Sequence, residues 1–190
     1  MRGALLLAPG AGADRTQAQL VAIDEALAAA GWVVERMDFP YRREGRRAPD
    51  RAPVLLAAVQ AAAAELVERA GFPPDRLVLG GRSMGGRICS MAVAEGLPAA
   101  GLALVSYPLH PPGRPEKQIE RTRHFPNLHV PCLFVSGTRD AFGRPDELEA
   151  ATTAIPGPVT HHWLDGGDHG LRGKNDPVAR SIASWVSVFI

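Results

Sequence analysis

A chain of 190 residues, 46% apolar and 22% charged, has room for one well-buried core and none for a second folded domain, so residues 1–190 are read as one domain. A formal net charge of +1 excludes the global electrostatic footprint of a nucleic-acid partner. The longest apolar stretches, Ala4–Ala8 and Val54–Ala64, are too short or too rich in alanine for a membrane span.

From Met1-Arg2-Gly3 the chain passes straight into the strand-like run Ala4 to Ala8, which the core needs, so the N-terminus is read as structure and not as a cleaved leader. That run ends at Pro9-Gly10-Ala11-Gly12, which suits a central strand followed by a turn. Asp14 is expected to cap a helix whose Leu20, Ile23 and Leu27 share one face and which Gly31 closes. A second strand, Trp32 to Met37, leads into a loop from Asp38 to Ala52 that carries Arg42, Arg43, Arg46, Arg47 and Arg51 against Glu44 and Asp50. Pro53 opens a helix through Leu55, Val59, Ala62 and Leu66, and Gly71 ends it.

The apolar run Leu77-Val78-Leu79 then enters Gly80-Gly81-Arg82-Ser83-Met84-Gly85-Gly86-Arg87, and a segment with helical spacing follows from Ile88 to Ala94. Strand before and helix after give this Gly-x-Ser-x-Gly its meaning. A serine on so sharp a turn needs neighbours without side chains two before and two after, and Gly81 and Gly85 meet that need.

Gly101 to Ser106 reads as a fourth strand. Tyr107 to Asn127, with five prolines, reads as a loop holding one helical turn around Glu116 to Thr122, too short for a cap domain. Val130 to Ser136 is a fifth strand, Pro145 to Ala154 a short helix, and Val159 to Leu164 a sixth strand. Asp176-Pro177 opens a last helix whose Ile182, Trp185, Val186 and Phe189 are expected to face inward. The two cysteines, Cys89 and Cys132, lie inside apolar segments of separate elements, which fits buried thiols in a reducing, cytoplasmic compartment. The fold class is therefore α/β: strands alternating with helices imply a mainly parallel sheet of about six strands, flanked by helices. In such a sheet every strand's C-terminal end lies on one edge, and Gly10–Gly12, Ser83, Asp140 and His169 all follow strands.

A serine hydroxyl is a weak nucleophile until an imidazole takes its proton, and the imidazole needs a carboxylate to hold its tautomer. Of six histidines, His161 and His162 lie within a strand, and His110, His124 and His129 fall in or beside the proline-rich loop. His169 sits in the flexible Leu164-Asp165-Gly166-Gly167-Asp168-His169-Gly170 and is the expected base. Strands lie about 4.8 Å apart, so it must reach back on the order of 15 Å over three strands, which a glycine-rich loop permits. Asp140, directly after the fifth strand, is the first choice of acid, ahead of Asp168 and Asp165. The backbone N–H of Met84, at a helix N-terminus, is expected to face a developing oxyanion, and the second donor is expected after the first strand, at Ala11 or one residue on at Gly12.

Ser83, Asp140 and His169 in that chain order resemble the α/β-hydrolase fold, from Leu5 to Val186. More narrowly, Gly80–Arg87, Val135–Asp140 and Gly166–His169 are similar to a small, lid-less branch near the dienelactone hydrolases. That branch includes bacterial predicted hydrolases, a testis-expressed protein and a subunit of a chromatin-associated acetyltransferase complex. Members usually show His-Gly at the oxyanion loop where Pro9-Gly10 stands here, which leaves the backbone donors but removes a side chain that orients the loop. Dienelactone hydrolases use cysteine, so Ser83 speaks against lactone specialisation. The resemblance implies hydrolysis of an ester or related acyl bond in a small-molecule substrate, through an acyl-serine intermediate, by an enzyme of carboxylesterase or thioesterase type.

Arg42 and Arg43, on the same sheet edge, are candidate contacts for an anionic or carboxylate-bearing substrate, although a solvated loop is the plainer reading of these charges. No Cys/His cluster has ligand spacing, so neither a metal nor an organic cofactor is expected. Two alternatives remain. One is an inactive hydrolase fold used as an interaction module, since the branch contains scaffold-like members. The other is nucleotide binding at Gly10-Ala11-Gly12, weakened because the third glycine's place is taken by Arg15, with Asp38 the only acid in the expected place at the end of the second strand.

Overall fold

Strands made of unbroken apolar runs have no face to give to water, so they must be covered on both sides. In the computed structural model, which describes residues 2–189 apart from the side chain of Phe189, this is what happens. Strands β1 (Ala4–Ala8), β2 (Val33–Arg36), β3 (Leu77–Arg82), β4 (Gly101–Val105), β5 (Cys132–Gly137) and β6 (Val159–Leu164) form one sheet in the order β2-β1-β3-β4-β5-β6. All five pairings are parallel.

The two-residue period of a strand sorts the core into two layers. Leu5 and Leu7 of β1 pack with Val78, Leu133 and Val135 beneath helices α1 (Ala18–Ala29) and α7 (Asn175–Phe189), where Leu20, Ile23, Leu27, Ile182, Trp185 and Val186 are buried. Ala4, Leu6 and Ala8 face the other way with Leu79, Leu104 and Phe134, against Leu55, Val59, Leu66, Ile88 and Cys89 of α3 (Ala52–Ala70) and α4 (Met84–Ala94). The inward face expected of the last helix is present at Ile182, Trp185 and Val186, while the side chain of Phe189 lies outside the described residues. Both cysteines are buried free thiols. Among the described residues, no helix is long and apolar enough to cross a membrane.

Several local expectations need correction. Asp14 does not cap α1: the helix starts at Ala18 after Gln17, and Asp14 turns its Oδ1 to the backbone N–H and hydroxyl of Thr16. A carboxylate two residues before a free N–H closes a local turn more readily than it reaches a helix further on. The loop from Asp38 to Ala52 holds a helical turn, α2 (Pro40–Arg43), in which Pro40 presets the first position and Tyr41 is fully buried. Helix α3 begins at Ala52, with Pro53 inside its first turn. Between β4 and β5 the chain makes short turns, among them α5 (Ile119–Thr122), and folds Tyr107 and Phe125 onto Phe134 instead of building a separate layer. Helix α6 (Pro145–Thr152) follows β5.

Candidate active site

Strand β3 ends at Arg82 and α4 begins at Met84, so the whole reversal falls on Ser83, at φ 51° and ψ −117°. A non-glycine residue there carries about 1–3 kcal/mol of strain and persists only where its surroundings hold it. They do: the Ser83 N–H donates to the Val105 carbonyl at 2.8 Å, and its carbonyl accepts from Arg87 N at 3.0 Å. The turn closes only because strand and helix touch. A Cβ on either Gly81 or Gly85 would run into the backbone carbonyl of Ala8.

From the far side of the sheet, the loop after β6 folds back over the end of β5. Thr138 N donates to Leu164 O at 3.2 Å and Arg139 N to Gly167 O at 2.8 Å, and Gly137 and Gly167 pack backbone against backbone. This carries His169 to the elbow, where its Nε2 lies 2.9 Å from Ser83 Oγ. Its Nδ1 lies 2.8 Å from Asp140 Oδ2 and 3.0 Å from Oδ1. An ionised carboxylate only accepts, so Nδ1 carries the imidazole proton and Nε2 is the acceptor facing the serine hydroxyl. The Asp140 side chain is 1% exposed, and Oδ1 also accepts the Phe142 N–H at 2.8 Å. Asp168, the second choice of acid, instead takes the Leu171 N–H on Oδ1, and Asp165 lies beside the Thr138 hydroxyl.

Four residues that hold this arrangement were not singled out from the sequence as its supports. Arg82 donates from Nη2 to the His169 carbonyl at 2.7 Å, with its Nη1 close to Gly10. Burial draws its guanidinium below the usual arginine value, and the charges of Asp140 and Asp168 pull the other way. Gln19, buried on α1, donates to the Gly170 carbonyl at 2.8 Å. The Phe142 ring stacks on the His169 imidazole, centroids 4.0 Å apart. Leu171, at φ 49°, anchors the loop in the core. Only Phe142 had a local signal, the Asp140-Ala141-Phe142 turn; the rest depend on contacts between segments distant in sequence.

At the expected oxyanion loop the backbone donors sort themselves. Gly10 N donates to Gln17 Oε1 at 3.0 Å, Gly12 N to the Tyr41 hydroxyl at 3.1 Å, and Ala13 N to Gly10 O at 3.1 Å. The N–H groups of Ala11 and Met84 have no acceptor among the described residues. Between the two residues left open, the engaged one is Gly12.

Arg42 and Arg43 are placed differently from each other. Arg42 donates to Asp14 Oδ2 at 3.2 Å and to the Arg46 carbonyl at 3.1 Å, whereas Arg43 is exposed with no side-chain partner among the described residues. Asp38, the acid of the nucleotide alternative, accepts the Arg15 N–H at 2.7 Å. His161 stacks between Phe134 and Trp163, and His124 bonds Ser90 at 2.8 Å within the core, so neither competes with His169. Among the described residues, no group of His, Cys, Asp or Glu is arranged to hold a metal ion.

A family model described as an alpha/beta hydrolase domain matches residues 1–184. Among solved structures, the chain is similar to a dienelactone hydrolase from Anabaena variabilis, at 19% identity and TM-score 0.76, over 99% of this chain and 87% of that one. An esterase domain of a Rhodothermus marinus protein matches at 18% identity and TM-score 0.75, over 98% and 87%. A protein of the alpha/beta hydrolase superfamily from Xanthomonas campestris pv. campestris matches at 21% identity and TM-score 0.72, over 98% and 99%. At these identities the likeness is one of fold.

Proposed function

The chain belongs to the alpha/beta hydrolase domain family, and on that premise we propose that it is a serine hydrolase that cleaves an ester or thioester of a small molecule through an acyl-serine intermediate. The observation that carries this reading is the unbroken line from Ser83 Oγ through the imidazole to Asp140, with contacts of 2.9 and 2.8 Å.

In the proposed reaction Ser83 Oγ attacks the acyl carbon as its proton passes to His169 Nε2. Asp140 steadies the imidazolium through Nδ1–H. The carbonyl oxygen, now anionic, accepts from the two free backbone donors, Met84 and Ala11, the former at a helix N-terminus where the dipole also favours negative charge. Collapse of the tetrahedral intermediate breaks the bond to the leaving group, which departs with the proton from Nε2. Water then enters by the same route, giving its proton to Nε2, and the free acid leaves as Ser83 regains its hydrogen. None of these steps calls on a cofactor, nucleic acid or membrane.

Labelling with a fluorophosphonate probe tests the reading. Labelling of the wild-type chain that disappears in Ser83→Ala, together with turnover of chromogenic esters that disappears in the same variant, is the expected result. A folded wild-type chain that neither labels nor turns over esters would transfer the case to the interaction module.

A further inference from the structure

Helical spacing puts Ser83, Arg87 and Ser90 along one face of α4, since residues three and four apart are neighbours on a helix. That face meets the segment between β4 and β5, because His124 Nε2 lies 2.8 Å from Ser90 Oγ. The same segment is pinned through Tyr107, whose hydroxyl donates to the Arg121 carbonyl at 2.6 Å, and through Arg121, whose Nη1 donates to the Pro108 carbonyl at 2.9 Å. Arg87 therefore stands one helical turn from the serine, facing a wall that brings a second guanidinium.

Neither arginine has a carboxylate within ion-pairing distance among the described residues. Arg87 Nε is buried and has no acceptor. A half-buried arginine loses hydration and ordinarily recovers it by pairing, so two of them on adjoining segments without an ion-pair partner leave the site electrostatically unfinished. Arg121 feels the charge of Arg87: burial, then that charge, lowers the proton affinity of Arg121. His124 is brought down to about 4 by burial and then by Arg87 and Arg123, so at neutral pH it adds no third charge. Glu120, a carboxylate that acts on Arg121, accepts from Lys117 at 2.7 Å and is exposed.

We propose that Arg87 and Arg121 form a carboxylate-binding subsite beside Ser83, and that the preferred esters carry a carboxylate at the far end of the acyl chain. A guanidinium presents a planar fork that matches a carboxylate, and two of them would hold it firmly enough to orient the acyl carbon toward the serine. The link to turnover rests on the serine-hydrolase reading, whereas the anion site itself does not.

Two measurements on the full chain separate these. The first is calorimetric titration with adipate, in the wild type and in Ser83→Ala: saturable binding is expected in both, weakened about 10- to 100-fold by Arg87→Met or Arg121→Met. The second is kcat/KM for mono-4-nitrophenyl adipate relative to 4-nitrophenyl hexanoate, a ratio expected to fall by a similar factor in either variant, to recover in part in Arg87→Lys, and to hold in the exposed Arg123→Met. If Arg87→Met does not fold, Arg121→Met decides. An unchanged ratio and unchanged adipate binding in a folded variant would overturn the proposal while leaving labelling of Ser83, and the hydrolase reading, in place. Adipate binding that is lost in Arg87→Met, in a chain that never labels, would overturn the hydrolase reading and keep the subsite.

Discussion

Arg82 is the least expected support of the proposed machinery, and replacing it by methionine isolates what it does. Methionine keeps much of the apolar stem while removing the donor that reaches the His169 carbonyl at 2.7 Å. Loss of a hydrogen bond from a charged donor to a half-buried carbonyl costs about 1.5–3 kcal/mol. If all of it falls on holding the imidazole in line with Ser83, kcat drops by roughly 10- to 150-fold, at 1.36 kcal/mol per factor of ten. KM should change little, because Arg82 binds the protein's own loop and not the substrate. The loop has a second tether in Gln19, bonded to Gly170 O at 2.8 Å, so Gln19→Leu combined with Arg82→Met should cost more than the two separate losses added together. The assay is steady-state hydrolysis of a 4-nitrophenyl ester alongside the rate of fluorophosphonate labelling, with thermal unfolding as the control for fold. Arg82→Lys should restore part of kcat. A folded Arg82→Met variant whose kcat stays within about twofold of wild type, or whose loss appears in KM alone, would refute the positioning role.

Other outcomes follow from the same geometry. Asp140→Asn presents an amide to Nδ1 and favours the wrong tautomer; kcat should fall by on the order of 10³- to 10⁴-fold with KM nearly unchanged, as steady-state kinetics would read directly. His124, with its proton affinity lowered to about 4, is neutral in the fold and protonates more readily once unfolded. Its contribution is complete above about pH 6.5 and is lost as pH falls from there to about 4, on the order of 3 kcal/mol in denaturant titrations, and His124→Gln should flatten that part of the profile. Gly81→Ala places a Cβ against the Ala8 backbone, which cannot yield, and should cost more than about 4 kcal/mol or prevent recovery of folded protein. Burial pushes both Cys89 and Cys132 up to about 12, so native protein at pH 8 should resist iodoacetamide, with modification appearing only on denaturation, as mass spectrometry would show.

How far each feature could be read in advance depended on the range of the interaction behind it. The elbow was legible because its causes are local: an apolar strand, glycines two before and two after Ser83, and a helical segment next door. Asp140 and His169 were legible through topology, since loops after parallel strands share one edge. The choice of Asp140 over Asp168 followed from adjacent side chains on an extended loop pointing apart. Asp14 was misread because a helix cap and a short Asx turn use the same residue, and only the position of the helix start separates them.

The order of apolar runs, glycines and prolines was enough by itself to determine a parallel α/β sheet and to bring one serine, one histidine and one aspartate to the same edge, because strand burial and crossover length act on residues near in sequence. Tertiary structure alone decided which donors stay free at Ala11 and Met84, that Arg82 and Gln19 both hold the histidine loop, and that the Arg87 charge acts on Arg121 with neither arginine in an ion pair among the described residues. These depend on where a side chain's far end lands after six strands have twisted and packed, and residues tens of positions apart share no periodicity that would announce their contact.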